Sequence, residues 1–163
     1  MDESNMNSVI AVDDDLDGKY LTFFIGEATY GVELIHVIEI ISVQNITNVP
    51  GIPTYIQGII NLRGRIVPVI DVRRKIGMPQ RAYDERTCII VISWQDSLVG
   101  LIADSVSEVV GFSSDNLSPL PEFSNVNTNK YLSSVSKVGN KLILNLDCAK
   151  FLADETEAPP HIA

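Results

Sequence analysis

The sequence is dominated by short segments in which β-branched and aromatic residues alternate with polar ones, each closed off by Gly, Pro, Asn or Ser. Successive side chains on an extended strand point to opposite faces, so this pattern describes half-buried strands joined by tight turns. Ten such strands are expected, at 20–25, 30–35, 37–44, 56–61, 65–70, 87–93, 98–103, 105–111, 131–138 and 141–146. Ten short strands make the chain all-β, built as barrels or a sandwich. Its 163 residues are enough to bury a real core within one compact unit that has room for two lobes.

The strand pattern repeats. At an offset of 69, Tyr30-Gly-Val-Glu-Leu-Ile-His-Val-Ile-Glu-Ile-Ile41 lies without a gap over Val99-Gly-Leu-Ile-Ala-Asp-Ser-Val-Ser-Glu-Val-Val110, matching Gly31 to Gly100, Val37 to Val106 and Glu39 to Glu108. At an offset of 76, Tyr55-Ile56 meets Tyr131-Leu132, and Arg65-Ile-Val-Pro-Val-Ile-Asp71 meets Lys141-Leu-Ile-Leu-Asn-Leu-Asp147. The change of offset is a seven-residue longer connection in the second copy. That connection, 113–130, is rich in Ser, Asn and Pro and reads as an irregular surface loop. Chance alignment of apolar β segments is the rival to true duplication; if the repeat is real, two similar five-stranded units face each other.

Each copy ends in a helix signal. Asp71 precedes Val72-Arg-Arg-Lys-Ile76 with Gly77 and Pro79 beyond, and Asp147 precedes Cys148-Ala-Lys-Phe-Leu152. An N-cap carboxylate, basic residues towards the C-terminus and a glycine stop explain both aspartates as caps, without acid–base chemistry.

The formal charge of −9 lies in the ends. Residues 1–18 carry six acids and 153–163 carry Asp154, Glu155 and Glu157, with no Lys in 153–163 and no Lys or Arg in 1–18, which leaves twelve acids against twelve bases in the body. Acidic stretches poor in aromatics bury too little surface to offset chain entropy, so both tails are expected to be disordered, flanking a single domain at 19–152. The acidic start is the opposite of a secretory signal, and no apolar run approaches the roughly 20 residues of a membrane-spanning helix. Cys88 and Cys148 match no metal-ligand or redox spacing and read as reduced thiols of a cytosolic protein.

Catalytic groups are scarce. Of two histidines, His36 falls inside an expected alternating strand and His161 in the C-terminal tail, so neither a His-based metal site nor a triad assembles. No phosphate-cradling Gly-rich loop followed by a helix occurs. No catalytic, cofactor-binding or metal-binding residues are therefore assigned, and no cofactor is expected. Seven of the twelve basic residues fall between Arg63 and Arg86, but the aromatics are not interleaved with them as stacking platforms, the segment contains a buried-looking strand and a capped helix, and the body is neutral, so nucleic acid is not an expected partner.

The most distinctive run is Gly58-Ile-Ile-Asn-Leu-Arg-Gly-Arg-Ile-Val-Pro-Val-Ile-Asp-Val72, a hairpin in which Gly64 permits a positive φ and Pro68, lacking a ladder donor, belongs at an edge or bulge. Apolar strands flanking an arginine-bearing turn suit a partner-binding surface. The plain alternative is a structural hairpin whose Arg63 pairs with a carboxylate such as Glu39. Asn61-Leu-Arg-Gly64 followed by Ile66-Val-Pro-Val-Ile-Asp-Val72 resembles the signature of CheW-type chemotaxis coupling domains. Tyr30-Gly-Val32, Val37-Ile-Glu39-Ile40, Ile56-Gln-Gly58, Val99-Gly-Leu-Ile-Ala-Asp104, Val106-Ser-Glu-Val109 and Pro119-Leu-Pro-Glu-Phe123 are similar to the same family, over about residues 19–152.

The resemblance implies two SH3-like five-stranded β-barrels packed around a shared hydrophobic core, with short helices. It implies a non-enzymatic adaptor that binds the regulatory domain of a chemotaxis histidine kinase and the cytoplasmic signalling tips of chemoreceptors. Such a protein is cytoplasmic, recruited to membrane-associated receptor arrays without inserting into the membrane. At matching positions it assigns receptor binding to Val37, Glu39, Gly58 and Arg63, with Glu39 and Arg63 as a polar pair beside an apolar groove. It assigns no kinase-facing residue. The second copy has Lys137-Val-Gly-Asn140 where the first has Asn61-Leu-Arg-Gly64, so the Arg63 role does not transfer. A coupling protein of a pilus-motility pathway, a small-ligand-binding barrel and an unrecognised enzyme are the alternatives.

Overall fold

The computed structural model describes residues 16–120 and 130–153. The acidic tails expected at 1–18 and 153–163 lie largely outside the described residues, as does Pro121-Glu-Phe123. All ten expected strands are present: β1 (Lys19–Ile25), β2 (Ala28–Glu33), β3 (Val37–Ser42), β4 (Ile56–Leu62), β5 (Arg65–Asp71), β6 (Cys88–Trp94), β7 (Ser97–Ala103), β8 (Ser105–Gly111), β10 (Leu132–Val138) and β11 (Lys141–Leu146). A further two-residue strand, β9 (Leu117–Ser118), lies in the connection expected to be irregular.

The strands form two sheets, ordered β8-β1-β2-β11-β10-β9 and β3-β6-β7-β5-β4. The repeat is carried into the register of nearly every pair. Tyr20↔Val110 between β1 and β8 recurs as Ile89↔Ile41 between β6 and β3. The parallel pair Gly31↔Asn145 recurs as Gly100↔Val69, and Ile56↔Ile70 recurs as Leu132↔Leu146. The chain beyond β3 closes its barrel through a bridge between Thr47 and Ile59 on β4, and β9 closes the other in the same way through Ser118↔Val135 on β10.

The two barrels are nevertheless not the two sequence copies. The β1–β2 hairpin of the first copy sits with β8, β10 and β11 of the second, and the β6–β7 hairpin of the second sits with β3, β4 and β5 of the first. The copies have exchanged hairpins, so neither barrel is a contiguous piece of chain.

That exchange explains where His36 lies. It was expected inside a strand, but it falls in a 3-10 turn, Leu34–His36. The chain must leave one sheet at β2 and enter the other at β3, and the turn makes that crossing while burying Leu34. His36 stacks edge-on against Trp94 at 5.3 Å. Pro68 was expected at an edge or bulge, and it lies instead on an interior strand, between β4 and β7. It pairs with Ile59 one residue before the parallel ladder to β7 begins at Val69, where β7 makes no demand on its missing N–H.

A single shared core joins the barrels, drawing Phe23, Ile25 and Tyr30 from one sheet and Ile70, Ile90 and Ile92 from the other. The five-stranded barrel adds an apolar core of its own, Ile60, Leu62, Val67, Val69, Ile89, Val91 and Ile102. Among the described residues the six-stranded barrel has Tyr20, Phe112 and Ile143 buried in the matching place, with Val110 packed against them, and it also buries Thr22, Ser136 and Asn145. Two helical turns complete the junction. The Asp71 carboxylate accepts from Arg73 N–H at 3.0 Å to cap Val72–Lys75, and Asp147 accepts from Lys150 N–H at 3.2 Å to cap Cys148–Phe151. Lys75 and Phe151 are repeat equivalents. The Lys75 ammonium lies 4.4 Å from the Tyr55 ring centre and 5.0 Å from that of Phe151, a cation–π contact across the junction.

Candidate functional site

The four residues singled out by the sequence all belong to the five-stranded sheet. Val37 and Glu39 begin β3, Gly58 lies on β4, and Arg63 occupies the β4–β5 turn. A register shift between Val37 and Glu39 marks a β-bulge against β6. Bulges re-aim side chains: Val37 packs on the shared core and Glu39 is turned towards the β4–β5 turn.

Arg63 reaches Glu39 and pairs with it through Nη2 and Oε2. Leu62 and Arg65 close the hairpin, and both loop residues have positive φ, 51° at Arg63 and 88° at Gly64. This is a type I′ turn, whose twist matches that of the strands it joins. Glycine takes that conformation freely, whereas an arginine there is strained by roughly 1–2 kcal/mol. The backbone is thus held in a costly conformation at the residue whose guanidinium meets Glu39. The Asn61 side chain accepts the Gly64 N–H at 2.8 Å.

On the elements that carry the pair, Ile38 and Ile40 of β3 and Ile66 of β5 are exposed, Ile66 at 63 %, as is Ile35 in the turn before β3. Ile38 and Ile40 stand on the outward face of β3, so β3 carries apolar groups on both faces. In the sequence that double-sided pattern corresponds to Val37-Ile-Glu-Ile-Ile41, apolar at every position but Glu39.

Gly58 is placed differently. It is buried, at φ 149°, under the connection that returns through Thr47, and a Cβ added to it would stand 2.1 Å from the Thr47 carbonyl oxygen. Any effect it has on a partner runs through the position of Thr47, a residue that no sequence motif pointed to.

Three arginines of the basic cluster are engaged within the molecule. Arg73 donates through Nε and Nη2 to Asp104 at 2.9 and 2.7 Å, Arg81 donates to the same carboxylate at 3.0 Å, and Arg74 donates to the Thr54 carbonyl at 3.1 Å. Asp104 also accepts the Gly26 N–H at 2.7 Å, tying the β1–β2 turn to the other barrel. Tyr83 donates its hydroxyl to Asp71 at 3.0 Å; burial and then the Asp71 charge push its pKa well up, so it is a donor and not a base. It borders an open depression of about 360 Å³ beside Asn45, Asn48 and Gln57. Burial raises the Cys88 and Cys148 thiols to about 11 and about 12, which leaves them protonated and unreactive. Among the described residues no group of three His, Cys, Asp or Glu side chains assembles that would hold a metal ion. Among them, too, no helix is long and apolar enough to cross a membrane.

In the six-stranded barrel Glu108 and Val106 take the places of Glu39 and Val37, but Gly139 stands where Arg63 does. The charged pair is therefore particular to one barrel.

A family model described as CheW-like domain matches residues 19–156. The chain is 34 % identical over 140 residues to a chemotaxis protein CheW of Klebsiella aerogenes, covering 86 % of this chain and 84 % of that protein. It is 31 % identical over 138 residues to a chemotaxis protein CheW of Bacillus subtilis, covering 85 % and 88 %. The crystal structure of the scaffolding protein TtCheW from Thermoanaerobacter tengcongensis superposes with a TM-score of 0.74 at 32 % identity, covering 80 % of this chain and 88 % of that one. Its two SH3-like barrels, its Asn61-Leu-Arg-Gly64 hairpin and these likenesses together place the chain in the CheW-like family.

Proposed function

We propose that this chain is a non-enzymatic scaffold that couples chemoreceptors to a chemotaxis histidine kinase through separate receptor-binding and kinase-binding surfaces. Family membership supports a coupling or scaffolding role, since relatives are named as chemotaxis CheW proteins and the structural neighbour as a scaffolding protein. The observation that carries the receptor surface is the Glu39–Arg63 pair, held by a strained turn among exposed isoleucines. Strained backbone persists where something over-determines it, and functional sites are where it collects. Val37 and the flanking isoleucines supply apolar contact to a receptor helix, while the charged pair orients it. Gly58 contributes by setting the position of Thr47.

In this reading the protein works in the cytoplasm at membrane-associated receptor arrays. A two-faced adaptor raises the effective concentration of each partner for the other, so weak separate contacts give a stable assembly. The test is titration of the purified protein with the regulatory domain of its cognate kinase and, separately, with a receptor-tip fragment. Both bind the wild-type protein, and Arg63→Ala weakens only the receptor complex, by about tenfold. Failure to bind any kinase regulatory domain from the same genome would overturn the assignment.

A further inference from the structure

We infer that Asn61 is a positioning residue for the receptor-facing arginine, acting through the Gly64 amide to hold Arg63 against Glu39. The inference rests on the receptor reading of the Glu39–Arg63 pair and names the residue that builds it.

A two-residue type I′ hairpin leaves the amides of both loop residues outside the ladder, free to rotate with the peptide that joins them. Here one of them is caught. Asn61 Oδ1 accepts the Gly64 N–H at 2.8 Å, which fixes the plane of the Arg63–Gly64 peptide and with it the direction in which the Arg63 side chain leaves the backbone. Arg63 itself favours negative φ, so the observed 51° needs a restraint from outside the residue. Strand twist supplies that restraint for the backbone, and the tether at Gly64 and the Glu39 carboxylate fix where the side chain points.

Two other hairpins in the same fold separate this role from simple turn formation. Gln95 and Asp96 adopt the same turn at φ 51° and 66°, with no glycine in the loop, so strand twist alone suffices to make it. Removing Asn61 should therefore leave the hairpin formed. At the repeat-equivalent turn, Lys137 replaces Asn61 and Gly139 replaces Arg63. That turn has its own glycine at positive φ and no arginine to aim, and it has no amide side chain at the tethering position.

The experiment uses the full chain and the variants Asn61→Ala, Asn61→Asp, Arg63→Ala and Asn61→Ala/Arg63→Ala. Asn61→Asp keeps an acceptor oxygen at the same place. Asn61→Ala is expected to weaken binding of the receptor-tip fragment about fivefold, Asn61→Asp to stay within about twofold of wild type, and Asn61→Ala to cause no further loss once Arg63 is gone. Binding of the kinase regulatory domain should be unchanged throughout. A partner-free readout accompanies this: the Arg63 Nε–Hε resonance is expected to be dispersed in wild type and Asn61→Asp, and to move towards the position of a free arginine in Asn61→Ala and Glu39→Ala alike. The inference is overturned if the Arg63 resonance is indifferent to Asn61→Ala, or if Asn61→Ala costs as much in the Arg63→Ala background as alone. If the wild-type protein binds no receptor fragment, the receptor reading fails, and the resonance still decides whether Asn61 positions Arg63.

Discussion

Asn145 and Gly31 are register partners on adjacent parallel strands, and Asn145 Oδ1 occupies the space next to Gly31 so fully that a Cβ on the glycine would stand 2.7 Å from it. The repeat places Val69 beside Gly100 at the same point of the other barrel. One glycine thus admits an amide and the other a methyl group, and the two barrel interiors differ accordingly. Asn145 is completely buried; its Nδ2 donates to Ser134 at 3.0 Å and Ser136 at 2.7 Å, while among the described residues its Oδ1 has no hydrogen-bond partner.

A half-satisfied buried network is more costly than a matched apolar core. Asn145→Val alone strands the two serine hydroxyls and is expected to lower stability by about 1–3 kcal/mol. Asn145→Val/Ser136→Val approaches the Val69 and Ile60 arrangement of the other barrel and should recover most of that loss. Urea denaturation of the two variants checks this; a double variant no more stable than the single one would contradict it.

Gly58→Ala drives a methyl group to 2.1 Å from the Thr47 carbonyl oxygen at a positive φ. The bridge between Thr47 and Ile59 that closes the barrel must shift, at an expected cost of about 3 kcal/mol. Gly51→Ala, at φ 85° but with nothing within 4 Å, should cost only about 1 kcal/mol. Thermal unfolding of the pair isolates the steric part.

Asp104 controls an acid limb. Burial works to raise its pKa, but the Arg73 hydrogen bonds, the Gly26 N–H and the charges of Arg73 and Arg81 outweigh it and hold the carboxyl below its ordinary value. The folded protein therefore gains stability from this group above the unfolded pKa of about 3.9, and loses it as pH falls through the lower folded value. Asp104→Asn should flatten the stability profile between about pH 5 and pH 2. At neutral pH it should also destabilise by about 3 kcal/mol, because Arg73, only 12 % exposed, loses its countercharge. Denaturation at a series of pH values reads both effects.

Arg63→Gly and Arg63→Ala should diverge in stability while agreeing in function. Both remove the Glu39 pair, an exposed contact worth about 0–1 kcal/mol to the fold. Glycine relieves the positive φ and alanine does not, so Arg63→Gly should be the more stable by about 1 kcal/mol. Both should weaken the receptor fragment equally. Equal stabilities would show that the turn at Arg63 is unstrained.

Much of the local structure was legible because local chemistry sets it. Alternation marked the strands to within a residue or two at most ends, Gly64 and Gly139 marked turns, and Asp71 and Asp147 cap the helical turns they precede. The Glu39–Arg63 pair was legible through the family resemblance and not through local chemistry, since β3 and β4 are opposite edges of the sheet and only closure of the barrel brings the β4–β5 turn to Glu39. His36, Pro68 and β9 were misread for one reason. Each depends on where the chain crosses between sheets or closes a barrel, and single-strand patterns do not carry that information. Gly58 is the same case, since its neighbour Thr47 comes from a connection with no strand pattern.

The sequence by itself determined ten strands, two capped turns and an internal repeat, because periodicity, turn chemistry and capping act within a few residues. Only the tertiary structure decided that the copies exchange hairpins. The β1–β2 pair looks alike whether it closes its own barrel or the other, and the choice lies in contacts between strands more than 80 residues apart, such as Tyr20 with Val110. It also decided which barrel has an apolar interior and which a polar one, since side chains become interior only once the barrels close around them.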